Sequence, residues 1–201
     1  MLLLPLPKKP KTCVFRLVPN SQSYVSKANN ASEIYDLEGA YWEFEIEIAN
    51  VPEKDALTLD AFMASLRGQV GTFLMFDYRR EQLDKSFSAF VAGANQDGNT
   101  LLIDGLPVSQ TLAVAGERFQ LGDGSAAELK MLTKDLVSDA FGRANIVFES
   151  PMRVIPFDNT PLYFKQPKGV FRLADNKQGI ASARYKNGIV ISWRIKGREA
   201  F

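Results

Sequence analysis

The chain has 201 residues, 46% hydrophobic and 23% charged, which is enough apolar material for one moderate core or two small ones and argues against disorder. Its 24 basic and 23 acidic side chains leave a formal charge of +1, too little to gather nucleic acid or an anionic membrane over long range. With no histidine and one cysteine, Cys13, it lacks Ser-His-Asp and Cys-His constellations, His- or Cys-based zinc sites and any internal disulfide, and so points away from an enzyme.

The stretch Met1 to Leu6 is apolar, but its lysines follow it, the reverse of a secretory signal. No apolar run approaches the roughly 20 residues of a membrane helix, so the expectation is a soluble chain made in the cytoplasm. Cys13 stands in an apolar, strand-like context and reads as a buried thiol. The clearest local pattern is Tyr41 to Ile48, where Trp42, Phe44, Ile46 and Ile48 alternate with Glu43, Glu45 and Glu47. Period two marks a half-buried strand with the glutamates on its outer face, solvated or met by basic side chains.

After Pro52 the period changes. Leu59, Phe62, Met63 and Leu66 recur at helical spacing, which predicts a helix over about 53–67 with Glu53 and Asp55 in its first turn and Gly68 as its left-handed stop. A short apolar strand follows at Gly71 to Asp77. From Phe87 to Glu149 the texture becomes short strands separated by turn clusters: Thr100 to Ile103, Arg118 to Leu121, Glu128 to Leu132 and Asn145 to Phe148. This spacing predicts a small antiparallel barrel. Pro151, Pro156, Pro161 and Pro167 then punctuate a loop-rich return to three strands, Gly169 to Leu173, Ile180 to Tyr185 and Ile189 to Ile195, the last two joined by a hairpin signal at Asn187-Gly188. The division that follows is an outer domain from 1–86 and 150–201, with 87–149 inserted as the barrel.

Candidate chemistry is sparse. Gly122-Asp123-Gly124 and Asp97-Gly98-Asn99 are glycine turns with oxygen side chains but lack the distal glutamate of a calcium loop. No Walker loop and no GxGxxG after a strand occurs. Glu43, Glu45, Glu47, Asp77, Glu117 and Glu149 could supply the carboxylate pair of a glycoside hydrolase, and none stands out. Arg79-Arg80 and the run Arg194, Lys196, Arg198 are modest basic clusters, better suited to a solvated edge or a protein interface than to single-stranded nucleic acid. No catalytic, cofactor-binding or metal-ligating residue is assigned, and no cofactor is implied.

The whole-chain order carries a resemblance. A strand over Tyr41 to Ile48 is followed by a helix ending in Leu66-Arg67-Gly68-Gln69-Val70-Gly71-Thr72-Phe73. The inserted barrel carries Ala115-Gly116-Glu117-Arg118-Phe119, and the chain closes on Lys168-Gly169-Val170-Phe171-Arg172-Leu173 and Ile191-Ser192-Trp193-Arg194. This arrangement resembles the distal tail proteins of long-tailed, non-contractile bacteriophages and related prophage minor tail proteins, over nearly the whole chain. The resemblance implies a mainly β fold with one α-helix: a β-sandwich-like domain with an inserted small barrel of oligonucleotide-binding-fold type. It further implies a virion component made in the host cytoplasm. Six copies would form a ring at the tail tip, between the tail tube protein and the baseplate hub or tail fibre proteins, with no membrane or nucleic-acid partner. The glutamate face of the 41–48 strand and the basic carboxy-terminal strand are expected to meet across neighbouring copies. Two alternatives stay open on the residues: a stand-alone carbohydrate- or protein-binding β module using Tyr163 and Phe164, and a hydrolase with a carboxylate pair.

Overall fold

The computed structural model describes every residue except 38, 81–84, 86, 180, 186–188 and 201. The fold is mainly β with one α-helix, a β-sandwich-like domain carrying a small closed barrel. In chain order the elements are β1 (Thr12–Val18), β2 (Ser21–Val25), β3 (Ser32–Asp36), β4 (Tyr41–Pro52), α1 (Glu53–Leu66) and β5 (Phe73–Phe76). There follow β6 (Ala89–Val91), β7 (Thr100–Asp104), β8 (Thr111–Ala113), β9 (Arg118–Leu121), β10 (Glu128–Leu132), β11 (Leu136–Val137), β12 (Ala144–Glu149) and β13 (Pro161–Tyr163). The chain ends with β14 (Lys168–Leu173), β15 (Ala181–Tyr185) and β16 (Ile189–Glu199).

Among the described residues, one antiparallel sheet runs in the order β1-β4-β16-β14-β5, with β15 also paired to β16. The alternation of β4 sends Trp42, Phe44, Ile46 and Ile48 into the core, where Ile195, Trp193 and Phe171 from neighbouring strands meet them. Helix α1 covers this face with Ala56, Leu59, Met63 and Leu66, while Phe62 is only partly buried and packs edge-on against Phe73. The left-handed turn that ends α1 begins at Arg67 (φ 52°), one residue before the expected Gly68. Gly68 is also left-handed, and a Cβ there would run into the Asn176 side chain, whose Oδ1 accepts the Gln69 N–H at 3.1 Å. On the same face Phe44 lies over Gly197, its partner across β4 and β16, in the space a larger residue would fill.

The barrel closes as β10-β12-β7-β6-β13-β9 around Phe119, Phe148, Leu101, Ile103 and Leu162. Its closing strand, β13, lies past the 149 boundary read from the sequence, inside the proline-punctuated return. Pro161 is tolerated there because it is the first residue of a three-residue strand and need not donate to the ladder. Strands β6, β8 and β11 are likewise two or three residues long, too short to show a period. β15 pairs antiparallel with β16, so the two strands lie as expected, while the Asn187-Gly188 signal falls outside the described residues. The hairpin β2–β3 is a further element that the sequence pattern did not reveal. No helix among the described residues is long and apolar enough to cross a membrane.

Candidate interaction surfaces

The outer face of the sheet is a ladder of charge built by register. β1 places Arg16 opposite Glu43, and β16 places Arg194, Lys196 and Arg198 opposite Glu47, Glu45 and Glu43. Arg16 Nη2 lies 2.6 Å from Glu43, Lys196 Nζ 3.2 Å from Glu45, Lys11 Nζ 3.4 Å from Glu47, and Arg194 also engages Glu45. Partial burial would raise the Glu45 pKa, but the bonds from Arg194 and Lys196 outweigh it and hold the carboxyl below its ordinary value. From residue type alone these two strands are expected to meet across copies. Instead they are hydrogen-bonded neighbours in one sheet, and the glutamates are neutralised within the chain.

Of the other candidate carboxylates, Asp77 and Glu117 line one small cleft with Arg118, and Glu149 lines another. Asp77, just past β5, is buried and receives Arg118 from β9 together with the Arg79 guanidinium at 2.8 Å. Burial alone would raise its pKa, and the bonds from Arg79 with the charge of Arg118 bring it below the usual carboxylate range. Arg118 in turn lies over the rings of Trp42 (4.4 Å) and Phe15 (4.9 Å), so the barrel inserts its cation into the aromatic wall of the sheet core. Cys13 is half-buried, its thiol 3.7 Å from Asp77; burial first, and then that carboxylate, push its pKa up to about 11. Glu117 pairs with Lys85 at 3.2 Å, and Glu149 lines a cleft between the base of the β2–β3 hairpin and the barrel.

A second ionic cluster lies at the same junction. Lys130 on β10 is wholly buried; its Nζ lies 2.6 Å from Glu128 and donates to the Pro151 carbonyl at 2.7 Å. Glu128 also accepts the backbone N–H groups of Arg153 and Val154, each at 3.1 Å. Arg153 donates to the Ala40 carbonyl and lies 3.8 Å from Glu199, the last residue of β16. Glu199 accepts the Trp42 N–H, and burial raises its pKa to about 7. Burial lowers the Lys130 pKa against the opposing pull of Glu128. Each of these charges is engaged by a partner from another part of the chain, so the cluster acts as a lock between sheet and barrel. The one hint in the sequence was Lys130 amid the apolar run Leu129 to Leu132.

The aromatic pair expected of a lone binding module does not form: Tyr163 is partly exposed and donates to Asp123 at 2.7 Å, whereas Phe164 belongs to the barrel core against Phe119 and Phe87. Both glycine turns serve as strand connections, and no group of three or more His, Cys, Asp or Glu able to hold a metal occurs among the described residues.

What stands out from the surface is the β2–β3 hairpin. All ten residues of its strands are exposed, including Tyr24 (58%), Val25, Ile34 (72%) and Tyr35. Tyr24 and Tyr35 touch edge to face at 5.9 Å, and among the described residues β2 and β3 form a two-stranded sheet of their own. No protein-family model and no curated protein matches this chain.

Proposed function

We propose that this chain is a structural subunit of a long-tailed phage tail tip, six copies closing into a ring between the tail tube protein and the baseplate hub or tail fibre proteins. The observation that carries this reading is the β2–β3 hairpin. A lone two-stranded ribbon is marginal in water, and this one holds tyrosine, valine and isoleucine side chains in solvent. Such an arm gains its stability on another molecule. A second copy, repeated around a closed rotation, gives every arm the same seat. The order of parts agrees: a β-sandwich-like sheet with one helix, then an inserted six-stranded barrel. The barrel's shape does not by itself imply nucleic-acid binding.

The test is a pair of variants, Tyr24→Ser and Ile34→Ser, made together. Sedimentation should show the parent as a six-copy assembly and the variant as a folded monomer that still melts cooperatively. A variant that assembles like the parent overturns the role given to the hairpin.

A further inference from the structure

The two ends of the chain are basic. Residues 1–32 hold five bases and no acid, and the segment after Asp175 holds six bases and one acid, Glu199, which is buried at the junction. β1 and β16 lie on either side of β4, so both basic segments run beside that strand and meet around its far end.

That end is irregular. Val51 pairs with Ile191 and Ile48 with Trp193, so Ala49 and Asn50 together stand opposite the single residue Ser192. This is a β-bulge, and it holds Asn50 in the left-handed region (φ 56°) that asparagine tolerates. Three bonds brace it: the Asn50 N–H donates to Ser192 Oγ at 3.2 Å, Lys8 Nζ to the Asn50 carbonyl at 3.0 Å, and Ser182 Oγ of β15 to the Ser192 carbonyl at 3.3 Å. Over the bulge lies an open cleft of about 620 Å³, room enough for a small organic molecule.

Arg184 of β15, Arg194 of β16 and Lys11 from the approach to β1 line this cleft with Ser192, Asn50 and Glu47. Glu47 is met by Lys11 at 3.4 Å, and Glu45, one step down the strand, by both Arg194 and Lys196. With Lys8, the lining and its ion partners carry five cations and two carboxylates. Farther out, Lys9 on one side and Glu53, Lys54 and Asp55 on the other leave no net charge. Among the described residues Arg184 has no carboxylate partner, and the Ser192 hydroxyl accepts a hydrogen bond but donates none. A guanidinium, an ammonium and a spare hydroxyl proton are the donors that hold a phosphoryl group. The cleft is larger than a bare phosphate, and Ser182 and Asn50 beside those donors suit hydroxyl groups better than hydrocarbon.

We propose that the cleft at the β4 bulge binds a small phosphorylated polyol, such as a sugar phosphate, with Arg184 and the Ser192 hydroxyl as its principal donors to the phosphoryl group. This site goes beyond the ring reading above and does not depend on it.

Isothermal titration calorimetry on the full chain at fixed ionic strength tests it, with glucose 1-phosphate, inorganic phosphate and glucose as probes. Glucose 1-phosphate should bind with a dissociation constant of about 1 mM or tighter and more tightly than inorganic phosphate, and glucose should not bind. Arg184→Ala should weaken binding about tenfold or more. Asn50→Asp, which sets a carboxylate on the bulge while keeping a residue that tolerates its backbone, should do the same. Arg16→Ala, at the other end of β1, should leave binding unchanged; melting curves establish that each variant folds. A parent that binds no glucose 1-phosphate overturns the site, as does glucose binding as tightly as its phosphate. Equal losses in Arg16→Ala and Arg184→Ala mean a diffuse basic face and overturn it too. An oligothymidylate that binds more tightly than the sugar phosphate, and is weakened equally by all three variants, makes the face a track for single strands and overturns the proposal.

Discussion

The backbone N–H of Trp42 donates to the carboxylate of Glu199 at 3.0 Å, across 157 residues of chain. The bond ties the start of the longest strand to the end of the last one, at the point where Arg153 and Lys130 approach from the barrel side. Burial there lifts the Glu199 pKa to about 7, against the opposing pull of the Trp42 N–H and of Lys130.

Stability should therefore fall as pH rises from 5 to 8. Glu199 binds its proton more tightly folded than unfolded, so its contribution is fully present below the unfolded carboxyl range and is lost as pH passes through about 7. The expected loss is roughly 2 to 3 kcal/mol in urea unfolding. With no histidine in the chain, no imidazole titrates in this window. Glu199→Gln should flatten the dependence; an unchanged slope in that variant contradicts the assignment.

Trp42 is both the largest inward side chain of β4 and a donor, through Nε1, to Leu129 O at 2.7 Å. Cutting it to alanine should cost about 3 to 5 kcal/mol. Trp42→Phe keeps much of the packing but orphans the Leu129 carbonyl, and should cost about 1 to 3 kcal/mol. Equal losses in the two variants would mean that the hydrogen bond to the barrel contributes nothing.

Asp77→Ala leaves Arg118 buried among aromatic rings without its carboxylate, and should cost about 3 to 5 kcal/mol. Asp77→Ala combined with Arg118→Met removes both charges and should recover part of that loss. A double-mutant cycle with no coupling between the two positions would refute the pairing.

Cys13 should react slowly with thiol reagents at neutral pH, because its thiolate is scarce when burial and Asp77 hold the pKa near 11. Labelling should accelerate on denaturation. Rapid modification of the folded chain at pH 7 would show the thiol to be far more accessible and acidic than its surroundings imply.

The strong periods were legible and the tertiary relations were not. The two-residue alternation of Tyr41 to Ile48 and the helical stripe of Leu59, Met63 and Leu66 translate directly into burial, because each is a local pattern repeated several times. Strands of two or three residues such as Leu136–Val137 and Pro161–Tyr163 hold no period to read and exist because the barrel closes on them. The β2–β3 hairpin buries neither of its faces, so it left no hydrophobic alternation to find. For the surfaces, the residue types at Glu45 and Arg194 suggested complementary charge, but register alone decides that they meet in one sheet. The junction of Lys130, Glu128, Arg153 and Glu199 depends on contacts between distant segments, which no single stretch of sequence displays.

The mass of the purified parent chain in solution, with negative-stain images of the same sample, tests the central claim most directly. A closed ring at about six times the 22.4 kDa of one chain is the predicted result. A single-copy species persisting at millimolar concentration and low salt would contradict it.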